Sequence, residues 1–238
     1  TAYDLQDKTN EAITAYEQGI QEFPDNSLLY YNLALTQNNI KDYSKAQENA
    51  IKAITLNNKH ASSHILLSSI MQGQGERVKA ILPMYYALML EPNAPRSIQN
   101  YLKLRTMLSS GVSKSNQTNI MVQMNMKGDT TYRAIDVTIS LISATKYTNE
   151  NSNKTDLEFF CDMNELVFSM LTNSTSDTRN IWKELYATTF SDLVTTKNVI
   201  PFTYYISQSN SSEKVVAWIQ KNKDSFDGFK NWLASKGI

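Results

Sequence analysis

The chain has little of what most catalysts and membrane proteins need. One cysteine in 238 residues excludes internal disulfides and any cysteine-rich zinc module. Two histidines narrow the options for acid–base catalysis and metal ligation. The longest nearly unbroken apolar run, Ala80 to Leu90, contains Pro83 and falls well short of the ~20 residues of a membrane-spanning helix. Net charge is also missing. The 23 basic and 23 acidic side chains split evenly, ten of each in residues 1–110 and thirteen of each in 111–238. That balance removes the electrostatic case for nucleic acid or an anionic membrane as partner. Seven glycines and five prolines are too few for a turn-rich all-β chain, and the dominant apolar spacing of three and four residues is helical. The chain opens at Thr1 with neither a methionine nor a signal-type apolar stretch, which reads as the loss of an upstream part.

What is present in quantity is order at a fixed interval. A single offset, the one from Ala12 to Ala46, carries Ala46 on to Ala80. The same offset superimposes Gly19, Ala53 and Ala87, then Leu33, Leu67 and Tyr101. Phe23-Pro24-Asp25-Asn26, Leu56-Asn57-Asn58-Lys59 and Leu90-Glu91-Pro92-Asn93 read as one recurring turn in which Pro or Asn stops a helix and starts the next. The pattern predicts helices near 1–8, 11–22, 27–40, 43–57, 61–73, 76–91 and 95–108. Pro83, inside the sixth, is expected to kink that helix or delay its start. Two helices approach to ~8–10 Å only where the crossing carries small side chains. A single pair cannot bury its apolar stripe, so several must stack.

Over roughly residues 1–108 these features resemble the tetratricopeptide repeat family, with Tyr3 and Tyr30 at its aromatic positions, Leu33-Ala34 at its Leu-Gly pair and Ala46, Ala50 and Ala53 at its small positions. His64 replaces the expected aromatic and Ser68 takes a small-residue place. The resemblance implies a right-handed superhelix of about three helix pairs over 1–110, the first truncated, whose first helices line a concave groove for a peptide or helix. The groove positions are Leu28, Tyr31, Leu35, Asn38, Asn39, Ser62, Ile65, Ser69, Gln72, Arg96, Gln99 and Lys103. Relatives that grip a terminal carboxylate use Lys and Asn at places held here by Tyr31, Leu35, Ile65 and Ser69. The expected ligand is therefore an apolar or amphipathic segment with amide hydrogen bonds to Asn38 and Asn39. The chain's own C-terminal half is the alternative occupant.

Ser109–Asn116, rich in small residues, interrupts the repeat register and marks a domain boundary near 110. Ile120, Val122, Met124 and Met126 alternate with Met121, Gln123, Asn125 and Lys127, which suggests a short extended segment near 119–127, either a strand in need of a partner or a stretch laid on helices. Lys127–Thr130 reads as a turn and Asn149–Lys154 as a polar loop. Helical spacing returns with Ile135, Ile139 and Ile142, then with Leu157 to Phe168, then after a cap at Asp177 with Ile181 to Leu193. Val199–Ile206, Glu213–Asn222 and Phe226–Lys236 complete a C-terminal helical domain over 111–238. Ten aromatics lie between Trp182 and Trp232, a density that predicts an aromatic core. Trp182 and Leu185 imitate the start of a further repeat, but no alanine series follows. This region is similar to that of uncharacterised bacterial repeat proteins, some of them exported. With 68 Asn, Ser and Thr residues, that likeness favours an exported location, periplasmic or surface-anchored, over a cytoplasmic one.

Groups able to do chemistry are few. His60 and His64 are four apart, but no third ligand is near in sequence, so no metal is expected. Cys161 lies on an apolar stripe and reads as an inert thiol. Asp156, Glu158, Asp162 and Glu165 read as a solvated acidic face. Asn116, Asn153, Asn173 and Asn210 open Asn-x-Ser/Thr triplets, which matter only in a eukaryotic secretory setting. No phosphate loop, nucleophile elbow or nucleotide fingerprint occurs, and no cofactor is expected. The reading is an all-α, non-catalytic protein- or peptide-binding scaffold. The alternatives are a hydrolase-like C-terminal domain using Asp129, Asp136 or Cys161 beside a basic residue, and a structural part of a cell-surface assembly.

Overall fold

The computed structural model describes residues 2–114, 119–124, 129–148, 151, 153–172, 180–210 and 212–238, with the backbone alone in 2–7. The side chain of Tyr3, and the expectations placed on Asn116, Asn125, Met126, Lys127, Gly128, Asn149, Asn173 and Asp177, lie outside the described side chains. Among the described residues the chain is all-α apart from one antiparallel pair of short strands. Among the described residues no helix is long and apolar enough to cross a membrane. Two compact units form, Thr1–Ala87 and Leu88–Ile238.

In the first unit the sequence interval holds down to individual hydrogen bonds. Helix α2 (Ser27–Asn39) maps end for end onto α4 (Ala61–Gly73) at the same offset that maps α3 (Tyr43–Leu56) onto α5 (Arg77–Leu90). Lys41 N–H donates to the Asn38 carbonyl and Asp42 N–H to that of Gln37; Gly75 to Gln72 and Glu76 to Met71 repeat them. Lys41 (φ 63°) and Gly75 (φ 77°) are the left-handed residues that reverse the chain after each first helix. Ala46, Ala50, Ala53 and Ala80 are fully buried, so α2 packs on α3 and α3 on α4, with α4 also beside α2.

Two expectations need correction. Residues 1–8 and 11–22 are not two helices: α1 runs unbroken over Ala2–Glu22, because Thr9 and Asn10 are only mediocre helix formers and neither Gly nor Pro intervenes. Nor does Pro83 delay α5, which starts at Arg77; burial of Ala80 through Met89 holds the helix through the missing N–H.

The second unit continues with α6 (Ser97–Ser109). The extended segment finds its partner inside the Ser-rich connector: β1 (Val112–Lys114) pairs antiparallel with β2 (Ile120–Val122), Val112 opposite Val122. Gly111 (φ 81°) makes this possible, since a Cβ there would stand 2.6 Å from the Gln123 carbonyl oxygen. Then come α7 (Arg133–Thr145), α8 (Asp156–Thr172), a π-helical turn at Trp182–Ala187 running into α9 (Thr188–Thr195), α10 (Val199–Ile206), α11 (Glu213–Lys221) and α12 (Lys223–Ser235). The core is aromatic, with Phe168 stacked on Phe190 at 4.8 Å and Phe202 and Phe229 edge-on at 6.2 Å. Polar pins fix its register: Asn164 donates to Thr203 Oγ1 at 2.8 Å and Trp232 to Asp192 at 3.0 Å.

Ser68, in α4, is fully buried and its hydroxyl has no hydrogen-bond partner. Ser68→Ala is expected to raise unfolding stability by about 1 kcal/mol, since it removes an unsatisfied polar atom and improves helix propensity. Ala80→Leu should lower it by about 1–3 kcal/mol through overpacking. Urea denaturation of both variants measures the two effects.

Candidate functional site

Helix α2 spends one stripe, Leu33, Ala34 and Gln37, on the core. Leu28, Tyr31, Leu35 and Asn38 recur at helical spacing on a different stripe, and α4 repeats it one interval later with Ser62, Ile65, Ser69 and Gln72. Because α4 lies beside α2, the two stripes belong to neighbouring helices of one unit. Leu28 is 52 % exposed and Leu35 37 %. Tyr31, Asn38, Ser62, Ile65 and Ser69 are half-buried, and Asn39 and Gln72 are exposed. Among the described residues nothing hydrogen-bonds the side-chain amides of Asn38, Asn39 or Gln72. No charged side chain belongs to these two stripes. The face can therefore offer apolar area and amide groups, but no ion pair.

Of the three remaining expected groove residues, Gln99 and Lys103 lie on α6 of the second unit and Arg96 caps that helix. Arg96 is committed locally, its guanidinium forked onto the Glu91 carboxylate with N···O distances of 2.9 and 3.0 Å.

The two histidines do not converge on a metal. His60 caps α4, shares a 2.8 Å hydrogen bond with Ser63 Oγ and meets the Tyr31 ring edge-to-face at 5.0 Å. It thereby steadies a face residue, a role that the turn position alone did not reveal. His64 is fully buried, stacks on Tyr86 at 4.6 Å and donates from Nε2 to the Asn58 carbonyl at 2.9 Å. That bond ties the repeat's turn to α4. Burial lowers its pKa to about 4, against the smaller opposing effect of the Asn58 bond. Among the described residues no three His, Cys, Asp or Glu side chains are grouped for a metal.

In the second unit, Cys161 packs with Leu157, Tyr204 and Val215, and burial pushes its thiol up to about 12. Asp129 accepts from Thr131 N–H at 2.9 Å, capping a turn, while Asp136 is buried on α7. The acidic face of α8 is more structured than a merely solvated one. Thr155 and Glu158 form a reciprocal capping box, with Thr155 N–H donating to Glu158 at 2.8 Å and Glu158 N–H to Thr155 Oγ1 at 3.3 Å. Asp156 pairs with Lys146 at 2.7 Å and Asp162 with Lys154 at 2.6 Å.

Compared with known proteins, residues 15–48 match the family model of the tetratricopeptide repeat. No curated protein and no solved structure matches the chain.

Because His64 is neutral when folded, the unfolded state takes up a proton that the folded state refuses between pH 6.5 and about 4. Its contribution is complete above pH 6.5 and is lost as pH falls across that window, by up to about 3 kcal/mol. The stability difference between the wild type and His64→Phe, followed by denaturation from pH 7.5 to 4, should shrink accordingly. Cys161 should react with a disulfide reagent at pH 8 no faster than the protein opens, and stoichiometrically in urea. Rapid modification of the native chain would contradict its packing.

Proposed function

We propose that this chain, whose residues 15–48 match the tetratricopeptide repeat model, is a non-catalytic scaffold whose α2/α4 face binds a peptide or helix of a protein partner. The observation that carries this reading is the paired stripe itself. Leu28 and Leu35 are exposed beside half-buried Tyr31 and Ile65, flanked by the amides of Asn38, Asn39 and Gln72. Leu28, Tyr31 and Leu35 at helical spacing on α2, with Ile65 on the neighbouring α4, suit an amphipathic segment laid across them, and the amides suit its backbone or polar side chains. Without a cation on these stripes, a free carboxylate finds no counter-ion there.

The test compares proteins retained from native extract by the intact chain and by a double variant, Tyr31→Ala with Ile65→Asp. An added control is Lys52→Ala, on the exposed side of α3. Ablating the face should remove most of the specifically retained species, with bound amount falling at least tenfold, while the control keeps them. Equal retention by all three proteins would refute the α2/α4 face as the binding surface.

A further inference from the structure

The second unit contains a recess unrelated to the α2/α4 face. Two adjoining cavities of about 310 and 360 Å³ share Leu102 and Arg105 in their walls. The larger part of the first wall is apolar, with Leu108, Phe159 and Met163 among its members. Arg105 is half-buried between the two. Its guanidinium lies over the Phe160 ring at 4.4 Å, Nη1 donates to Tyr101 Oη at 2.9 Å and Nη2 reaches the Asp156 carbonyl at 3.4 Å. These neighbours orient the fork but supply no negative charge. No described carboxylate comes within ion-pair distance of it; the Asp156 carboxylate is turned to Lys146 at 2.7 Å.

A guanidinium is always charged and carries five donors in a plane. Two are used here, so the others remain for a bidentate acceptor. Lys146 lines the first cavity and Lys214 the second. With Arg105 they set three cations against the single carboxylate of Asp156 in the two walls. A planar cation whose acidic neighbour, Asp156, is already paired with Lys146, stacked on a ring beside apolar walls, matches an anion joined to an apolar body. We propose that this recess binds a small organic carboxylate, its carboxylate forked by Arg105 and its aliphatic or aromatic body laid against Phe159 and Met163. Two sources share that chemistry, a free carboxylic acid and the C-terminal residue of a peptide.

Calorimetric titration of the intact chain with octanoate, with acetyl-glycyl-leucine and with 1-octanol tests this. At least one of the two carboxylates should bind at least tenfold more tightly than 1-octanol. A tighter octanoate identifies a free acid as the occupant, and a tighter dipeptide identifies a chain end. Arg105→Gln should abolish the preference for the carboxylate over the alcohol. Arg105→Lys, which keeps the charge and loses the fork, should reduce it. Met163→Trp, filling the recess from the apolar side, should weaken both the carboxylate and the alcohol. Equal binding of carboxylates and alcohol by the wild type, no saturation by either carboxylate, or unchanged carboxylate affinity in a folded Arg105→Gln would overturn the proposal. The wild-type comparison decides the matter even if a variant fails to fold, and none of these outcomes touches the α2/α4 face.

Discussion

Two helices can lie close along their length only where nothing larger than a methyl group stands between their backbones. Ala46, Ala50 and Ala53 on α3 and Ala80 on α5 meet that condition with full burial, and alanine does so without the helix-propensity cost of glycine. Once crossings recur at a constant interval, the connections must recur as well. Lys41 shows how strongly. An L-residue other than glycine pays roughly 1–2 kcal/mol in the left-handed region, yet Lys41 adopts φ 63° where the next repeat has Gly75 at 77°. Packing outweighs local preference at that position, and the same backbone hydrogen bonds close both turns.

The same constraint decides what is left over. A helix that turns Leu33, Ala34 and Gln37 inward must turn another stripe outward, and the repeat interval gives the neighbouring helix a matching one. With no charge on the paired stripe, long-range steering has little to act on. A partner bound there would be held by shape, apolar burial and amide pairing, and such an interaction would be insensitive to salt.

Residues 27–109 were legible because crossings, turns and apolar stripes all speak at one period, so each helix end was marked several times over. The break expected near residues 9–10 was not real: Thr9 and Asn10 weaken a helix, but only Gly, Pro or a competing cap ends one. The strand partner of Ile120–Val122 was hidden in Val112–Lys114, too short and too polar in its surroundings to alternate visibly. At the candidate face, the family resemblance assigned the α2 and α4 positions, which fall on one stripe of each helix. It missed that Arg96 bends back to Glu91 around a turn and that His60 reaches Tyr31 from an adjacent helix. Both depend on chain reversal, which spacing along one element does not encode. The Thr155–Glu158 capping box was readable from its two residue types three apart; Arg105 over Phe160, on a helix far along the chain, was not.

The two units answer one problem, burying apolar surface against helices, with opposite materials. Alanine crossings bring backbones together and leave the outer stripes of α2 and α4 to solvent. Large planar rings such as Phe168, Phe190, Phe202 and Phe229 hold helices further apart and pack only in certain orientations. Polar pins are then needed to select one arrangement, as Asn164–Thr203 and Trp232–Asp192 do. Space between such rings and their neighbours does not close everywhere, and a recess beside Phe160 and Phe159 follows from that material. Interior packing normally tolerates few voids. One that is walled by apolar side chains and also holds the planar cation of Arg105 is better matched to a small amphipathic anion than to solvent alone. An outer stripe in one unit and a partly open recess in the other are thus the separate products of small and large side chains at helix contacts.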